Sequence, residues 1–161
     1  MTFQLREGFT VSGEGKLAIS LEIESRLDQV RLVRAAMAGV LDHMKVIEAD
    51  ILSLELAVTE IVNNAVEHGY AGAEHEQIKV QIEVRGSVVQ VEIIDHAKPF
   101  PEGERYRIVE DLGPLEDPDE EWSPRGHGLQ IVRQIVDTLV LECDATQNVL
   151  TLSKNVGIRP E

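Results

Sequence analysis

The chain has 161 residues, 15 of them Lys or Arg and 29 Asp or Glu, for a formal charge of −14. Length and a 43% hydrophobic content fit one folded domain with its own core, and the charge argues against nucleic-acid or anionic-membrane surfaces, which need clustered cations. It does not exclude a nucleotide, whose phosphates backbone N–H groups at a helix N-terminus can hold. No apolar run approaches the ~20 residues that span a bilayer, and residues 2–7 lack a basic-then-apolar leader, so the expectation is a soluble, cytoplasmic protein.

Residues 1–16 read as a glycine-bearing N-terminal extension to a single domain over 1–161. Leu17 to Ile23 then alternates as a strand, with Leu17, Ile19, Leu21 and Ile23 on one face. Ser25 reads as the N-cap of a first helix, in which Leu27, Val30, Met37 and Met44 recur at helical spacing. A second helix is expected from about Glu48 to Tyr70, burying Ile51, Leu54, Val58, Ile61 and Ala65 and ended by Gly69 and Gly72. Ile78–Val84 and Val88–Ile94 form a hairpin signal around Arg85-Gly86-Ser87.

Residues 96–125 then break the regular pattern. Between Glu102 and Glu121 stand nine acidic and two basic residues, half of the whole charge imbalance, and five of the six prolines lie in or beside that stretch. Such a segment supports neither a long helix nor a central strand, and a loop of that length inside a domain is commonly a functional lid. Gly126–Asp137 reads as a third helix. A last hairpin pairs Leu139–Cys143 with Val149–Ser153; the lone cysteine, Cys143, excludes a disulfide framework and a multi-cysteine zinc site. The order β-α-α-β-β-lid-α-β-β points to an α+β, two-layer sandwich: a mixed, mostly antiparallel sheet with its helices on one face.

The second helix carries an unusual polar string. Glu60, Asn64 and His68 are spaced i, i+4, i+8, so they share a face beside the apolar stripe. The pair Asn63-Asn64 is a poor helix former, which suggests a role other than propensity. A carboxylate one turn from an amide oxygen also suits Mg²⁺, which takes oxygen ligands and completes its shell with waters and phosphates.

The string Glu60-x-x-x-Asn64-Ala65-x-x-His68-Gly69 resembles the N-box of the GHKL ATPase superfamily, most nearly that of the bacterial anti-sigma-factor serine kinases of sporulation and general-stress control. The resemblance implies the Bergerat ATP-binding fold, with Asn64 holding Mg²⁺ at the phosphates, Glu60 as catalytic base and His68 in the nucleotide site. Val91 to Phe100 resembles the superfamily's Asp-x-Gly-x-Pro box, which gives Asp95 the adenine amino group and puts Ala97 where the pattern has Gly. If that position needs a positive φ, Ala97 costs on the order of 1 kcal/mol; if φ is negative, the methyl is harmless. Arg125-Gly126-His127-Gly128-Leu129 resembles the Gly-x-Gly-Leu box that closes the lid and opens the next helix, and it adds Arg125, Gly126, His127, Gly128 and Leu129 to the nucleotide site.

The activity implied is that of an ATP- and Mg²⁺-dependent serine/threonine-protein kinase. It would phosphorylate a Ser of a small anti-sigma-factor antagonist, sequester a sigma factor, and form a homodimer through the N-terminal strand and first helix. The alternative is a nucleotide-gated or nucleotide-free module that regulates its partner by binding alone, which Ala97 favours. The acidic, proline-rich lid is expected to stay open until Mg²⁺ and nucleotide arrive.

Overall fold

The computed structural model describes residues 16–99 and 127–160, with only the backbone of His127; most of the expected lid, with Arg125 and Gly126, lies outside the described residues. In chain order come β1 (Lys16–Glu24), α1 (Leu27–His43), α2 (Glu48–Asn64), β2 (Gln77–Arg85), β3 (Val88–Asp95), α3 (His127–Ile135), β4 (Thr138–Cys143) and β5 (Asn148–Asn155). The five strands make one sheet in the order β1-β2-β3-β5-β4. Every pairing is antiparallel, so the parallel component expected of a mixed sheet is not found among the described residues.

Alternation along the strands decides which face is covered. Ile78, Val80, Ile82 and Val84 of β2 and Val89, Val91 and Ile93 of β3 are buried on one face. Between them Lys79, Gln81, Glu83, Gln90 and Glu92 point to the other. On the apolar face α2 packs between α1 and α3, and Val33, Met37, Leu41, Leu54, Val58 and Val62 complete the core. Two residues, Gly86-Ser87, connect β2 to β3, and Gly86 supplies the left-handed φ of +57° that this tight turn requires.

Two local features differ from the sequence expectation. Ser25 does not cap α1, whose N-cap is Arg26 with no side-chain cap bond; its hydroxyl instead donates to the Ala73 carbonyl and accepts from Glu76 N–H. The helix expected to run to Tyr70 is α-helical only to Asn64 and continues as a π-helical turn over Ala65–Gly69, where Tyr70 N–H donates to the Ala65 carbonyl. The chain then leaves through Ala71 and Gly72, both at positive φ.

The C-terminal tail fastens the other end of α2. Ile47 N–H donates to the Gly157 carbonyl, and Gly157 N–H donates to Asp50 Oδ2 at 2.8 Å. Arg159 donates to the carbonyl and carboxylate of Asp42.

Candidate active site

The site forms where the C-terminal end of α2 meets the end of β3 and the start of α3. Glu60 and Asn64 lie one turn apart on α2, both half-buried. Gly128, in the first turn of α3, sits against them. A Cβ added at Gly128 would lie 2.7 Å from Glu60 Oε2 and 3.4 Å from Asn64 Nδ2. The missing side chain is thus what lets the first turn of α3, with its uncompensated N–H groups, approach this carboxylate and amide. Neither Glu60 nor Asn64 has a side-chain hydrogen bond to another described residue.

The second part of the site grows from the sheet. Asp95 ends β3 on the covered face, and its antiparallel partner across the ladder is Asn148, the first residue of β5. Among the described residues only Ser25, Asp95 and Asn148 are buried polar residues, so two of the three form this pair. Asp95 Oδ1 accepts from Ala97 N–H at 2.9 Å and from Asn148 Nδ2 at 2.8 Å. No described donor reaches Asp95 Oδ2. A buried carboxylate held through one oxygen keeps the other able to accept a hydrogen bond.

Two contacts join the parts. A Cβ added at Gly69 would lie 2.8 Å from the Ala97 Cβ, so the Ala97 methyl already fills the space beside Gly69. The positive-φ non-glycine residues among those described are Lys45, Ala71 and His75, so Ala97 is not in the left-handed region and the methyl carries no backbone strain. Tyr70 makes the second link. His96 N–H donates to its hydroxyl at 2.8 Å, and that hydroxyl donates to the Gln77 carbonyl at 2.8 Å. Burial, with Asp95 and Glu76 adding negative charge nearby, pushes the Tyr70 phenol above its ordinary value of 10.0.

Glu60, Asn64 and Gly128 are therefore brought together, and Asp95 with Ala97 is tied to the same helix end through Gly69 and Tyr70. Leu129 faces the hydrophobic core and anchors α3. His68 is exposed on the π-turn and makes no hydrogen bond or ion pair to described residues. Sequence reasoning missed Asn148 and Tyr70. Asn148 follows Asp144-Ala145-Thr146-Gln147 and reads as one more turn residue; only the strand register shows it facing Asp95.

A five-stranded sheet covered on one face by helices, with a carboxylate, an amide and a close glycine at one end of the layer, defines a two-layer α+β domain with a polar site at the helix end. Residues 23–154 match the histidine kinase-like ATPase domain family, and the chain belongs to that family. It is similar to the serine-protein kinase RsbW of Oceanobacillus iheyensis, 26% identical over 121 residues that cover 74% of this chain and 75% of the relative. It is also similar to the anti-sigma F factor of Clostridium botulinum strain Eklund 17B, 25% identical over 126 residues, covering 78% and 85%. A solved structure of the RsbU and RsbW domains of Rv1364c from Mycobacterium tuberculosis shares the fold with a TM-score of 0.63 at 22% identity. That likeness covers 89% of this chain and 33% of the larger one.

Proposed function

We propose that this protein is an ATP- and Mg²⁺-dependent serine/threonine-protein kinase acting as an anti-sigma factor. Its substrate would be a Ser of a small anti-sigma-factor antagonist, and its other partner a sigma factor, which sets it to work in the cytoplasm. Family membership and the RsbW and anti-sigma F relatives support this reading. The observation that carries it is the convergence of Glu60, Asn64 and the first turn of α3 at Gly128.

Phosphoryl transfer needs alignment and charge stabilisation more than covalent help from the protein. Glu60 would orient the substrate hydroxyl and accept its proton. The N–H groups opening α3 would donate to phosphate oxygens, reinforced by the positive end of the helix dipole; Arg125 and Gly126 precede that turn in sequence and His127 begins it. Asn64 would be the protein ligand of Mg²⁺, which supplies neutralisation of phosphate charge when bound. An amide and a carboxylate one turn apart, without side-chain hydrogen bonds to other described residues, offer the oxygen ligands that this hard cation takes. Asp95 Oδ2 would accept from the adenine amino group, with Ala97 beneath it, and His68 and Leu129 would flank the nucleotide site from the helix end and α3. A homodimer would use β1, an edge strand, and α1, whose Leu27 and Leu32 are exposed.

The binding-only alternative rested on Ala97, and a residue outside the left-handed region with its methyl on Gly69 no longer favours it. The test is phosphotransfer from ATP to the cognate antagonist. Wild type should label the antagonist on Ser, and Glu60→Gln should lose about 10²- to 10⁴-fold in rate with ADP affinity within about threefold. Absence of transfer by wild type removes the kinase, and full activity in Glu60→Gln removes the base.

A further inference from the structure

The row of α2 that carries Glu60 and Asn64 starts two turns earlier. Leu52, Leu56, Glu60 and Asn64 stand at i, i+4, i+8 and i+12 on one side of the helix. Leu54, Ala57, Val58, Ile61 and Val62 face the core, and the row lies away from them: Leu52 is 56% exposed and Leu56 44%. On α3 stands Ile131, 42% exposed, one turn after Gly128. The two helices run in opposite directions. Gly128 at the start of α3 meets Glu60 and Asn64, whereas Lys154 joins the other ends, donating to the Ile135 carbonyl at 2.9 Å and lying 3.6 Å from Asp50 Oδ1. One turn on from Gly128 is therefore level with one turn back from Glu60, which sets Ile131 at the height of Leu56. No charge interrupts the strip: Glu55, the acidic residue between the two leucines, pairs with Arg34 of α1 at 3.2 Å. Single exposed leucines are ordinary, but three large apolar side chains leading from a half-buried carboxylate, in a chain of charge −14, have the composition of a contact surface.

We propose that Leu52, Leu56 and Ile131 form the docking ridge for the protein that presents the phosphoacceptor hydroxyl. Position along α2 selects this occupant over the nucleotide. Asp95 and Ala97 adjoin Gly69, past the C-terminal end of α2, so the proposed nucleotide reaches Glu60 from that side. In phosphoryl transfer the attacking and leaving oxygens lie roughly in line, so the acceptor hydroxyl arrives from the side away from the nucleotide. On α2 that is the side of Leu56. At a rise of about 1.5 Å per residue, Leu56 lies about 6 Å and Leu52 about 12 Å along the axis from Glu60. A partner seated on the ridge brings its Ser to Glu60 with an apolar side chain about one helical turn away. The hydroxyl oxygen bonds to the γ-phosphorus as the bond to the ADP oxygen breaks, and its proton passes to Glu60. The ridge takes no part in that step; it decides which protein, and which of its hydroxyls, comes within reach.

This inference rests on the kinase reading given above, and the measurements separate the two. Initial rates of phosphotransfer at saturating Mg·ATP are recorded against the concentration of the cognate antagonist for wild type, Leu52→Ala/Leu56→Ala, Ile131→Ala and Val140→Ala. Antagonist binding in Mg·ADP is titrated calorimetrically, and melting curves and ADP affinity are taken on the same samples. Alanine favours helix and the replaced side chains are exposed, so the variants should fold as wild type does. The double variant should raise the antagonist KM, and weaken its binding, about tenfold or more, and Ile131→Ala about threefold or more. At saturating antagonist, kcat should stay within about twofold, as should ADP affinity, the split expected of a docking surface and not of a reacting group. Val140→Ala, exposed at 44% like Leu56 but on the uncovered face of β4, should leave all of these at wild-type values. A double variant with the wild-type KM overturns the ridge and leaves the kinase standing, as does a fall in kcat at unchanged KM. Antagonist binding without transfer, weakened in the double variant, removes the kinase and keeps the ridge. A wild type that neither binds nor labels the antagonist overturns both.

Discussion

The end of the site proposed for the base and the end proposed for the phosphates are built on different terms. At Asp95 the side chains are buried and already bonded: Ala97 N–H and Asn148 Nδ2 hold one carboxylate oxygen, and Tyr70 ties the following residue to β2. At Glu60 and Asn64 the side chains are half-buried and have no hydrogen bonds to described residues, although the Gly128 backbone presses against both. One end is set before a ligand arrives, and the other keeps its polar atoms for what it receives. Selectivity gains from rigid, pre-satisfied groups, whereas a proton acceptor and a metal ligand must keep lone pairs free.

Substitutions can break that contrast at three points. The largest effect is expected at Gly128, where Ala would set a methyl 2.7 Å from Glu60 Oε2. The carboxylate is the far end of a flexible side chain and can swing away, so stability should change by under about 1 kcal/mol. Phosphotransfer should nevertheless fall about 10- to 100-fold, because the displaced group is the proposed proton acceptor. Single-turnover rates beside a melting curve give both quantities; a rate loss matched by an equal loss of folded protein would contradict the assignment.

Next comes the joint between the ends. Gly69→Ala would force two methyl carbons to 2.8 Å and should cost about 1–3 kcal/mol by overpacking. Ala97→Gly alone should cost under about 1 kcal/mol, and in the double variant it should return most of the loss. Denaturant melts of the four proteins form the cycle, and additive effects would mean that the two residues do not touch.

The smallest effect is expected at Tyr70. Tyr70→Phe removes one acceptor and one donor, leaves His96 N–H and the Gln77 carbonyl without their partner, and should cost about 1 kcal/mol. Tyr70 also has a pH signature. Its folded value is raised above 10.0, so above that pH the unfolded chain releases the phenolic proton first and stability falls as pH rises. Stability measured from pH 8 to 11 should show this alkaline loss in wild type and a shallower one in Tyr70→Phe.

Much of this was legible from residue order. Periods of 3.6 and 2 set out α1, α2 and both hairpins to within a few residues, because each buries a continuous apolar face. Spacing put Glu60 and Asn64 on one helix face and the family resemblance added Gly128 to the site, and the structure shows how they meet: a backbone close enough that only glycine fits. What escaped was set by distant partners. Ser25 has the local signature of a cap, yet its hydroxyl bonds lie 48 and 51 residues away at Ala73 and Glu76. Asn148 resembles a turn residue until β5 pairs with β3. The π-turn has no pattern of its own in Ala65–Gly69, since one extra residue in a helical turn leaves the local propensities unchanged.

The tail that fastens the start of α2 has a consequence for biosynthesis. Its bonds join residues 107 and 117 positions apart, Gly157 to Asp50 and Arg159 to Asp42. A ribosome releases the segment that makes them long after α2 has emerged. Until then Glu60 and Asn64 ride on a helix whose first turn is not yet moored, so the finished geometry waits for residues 157–159.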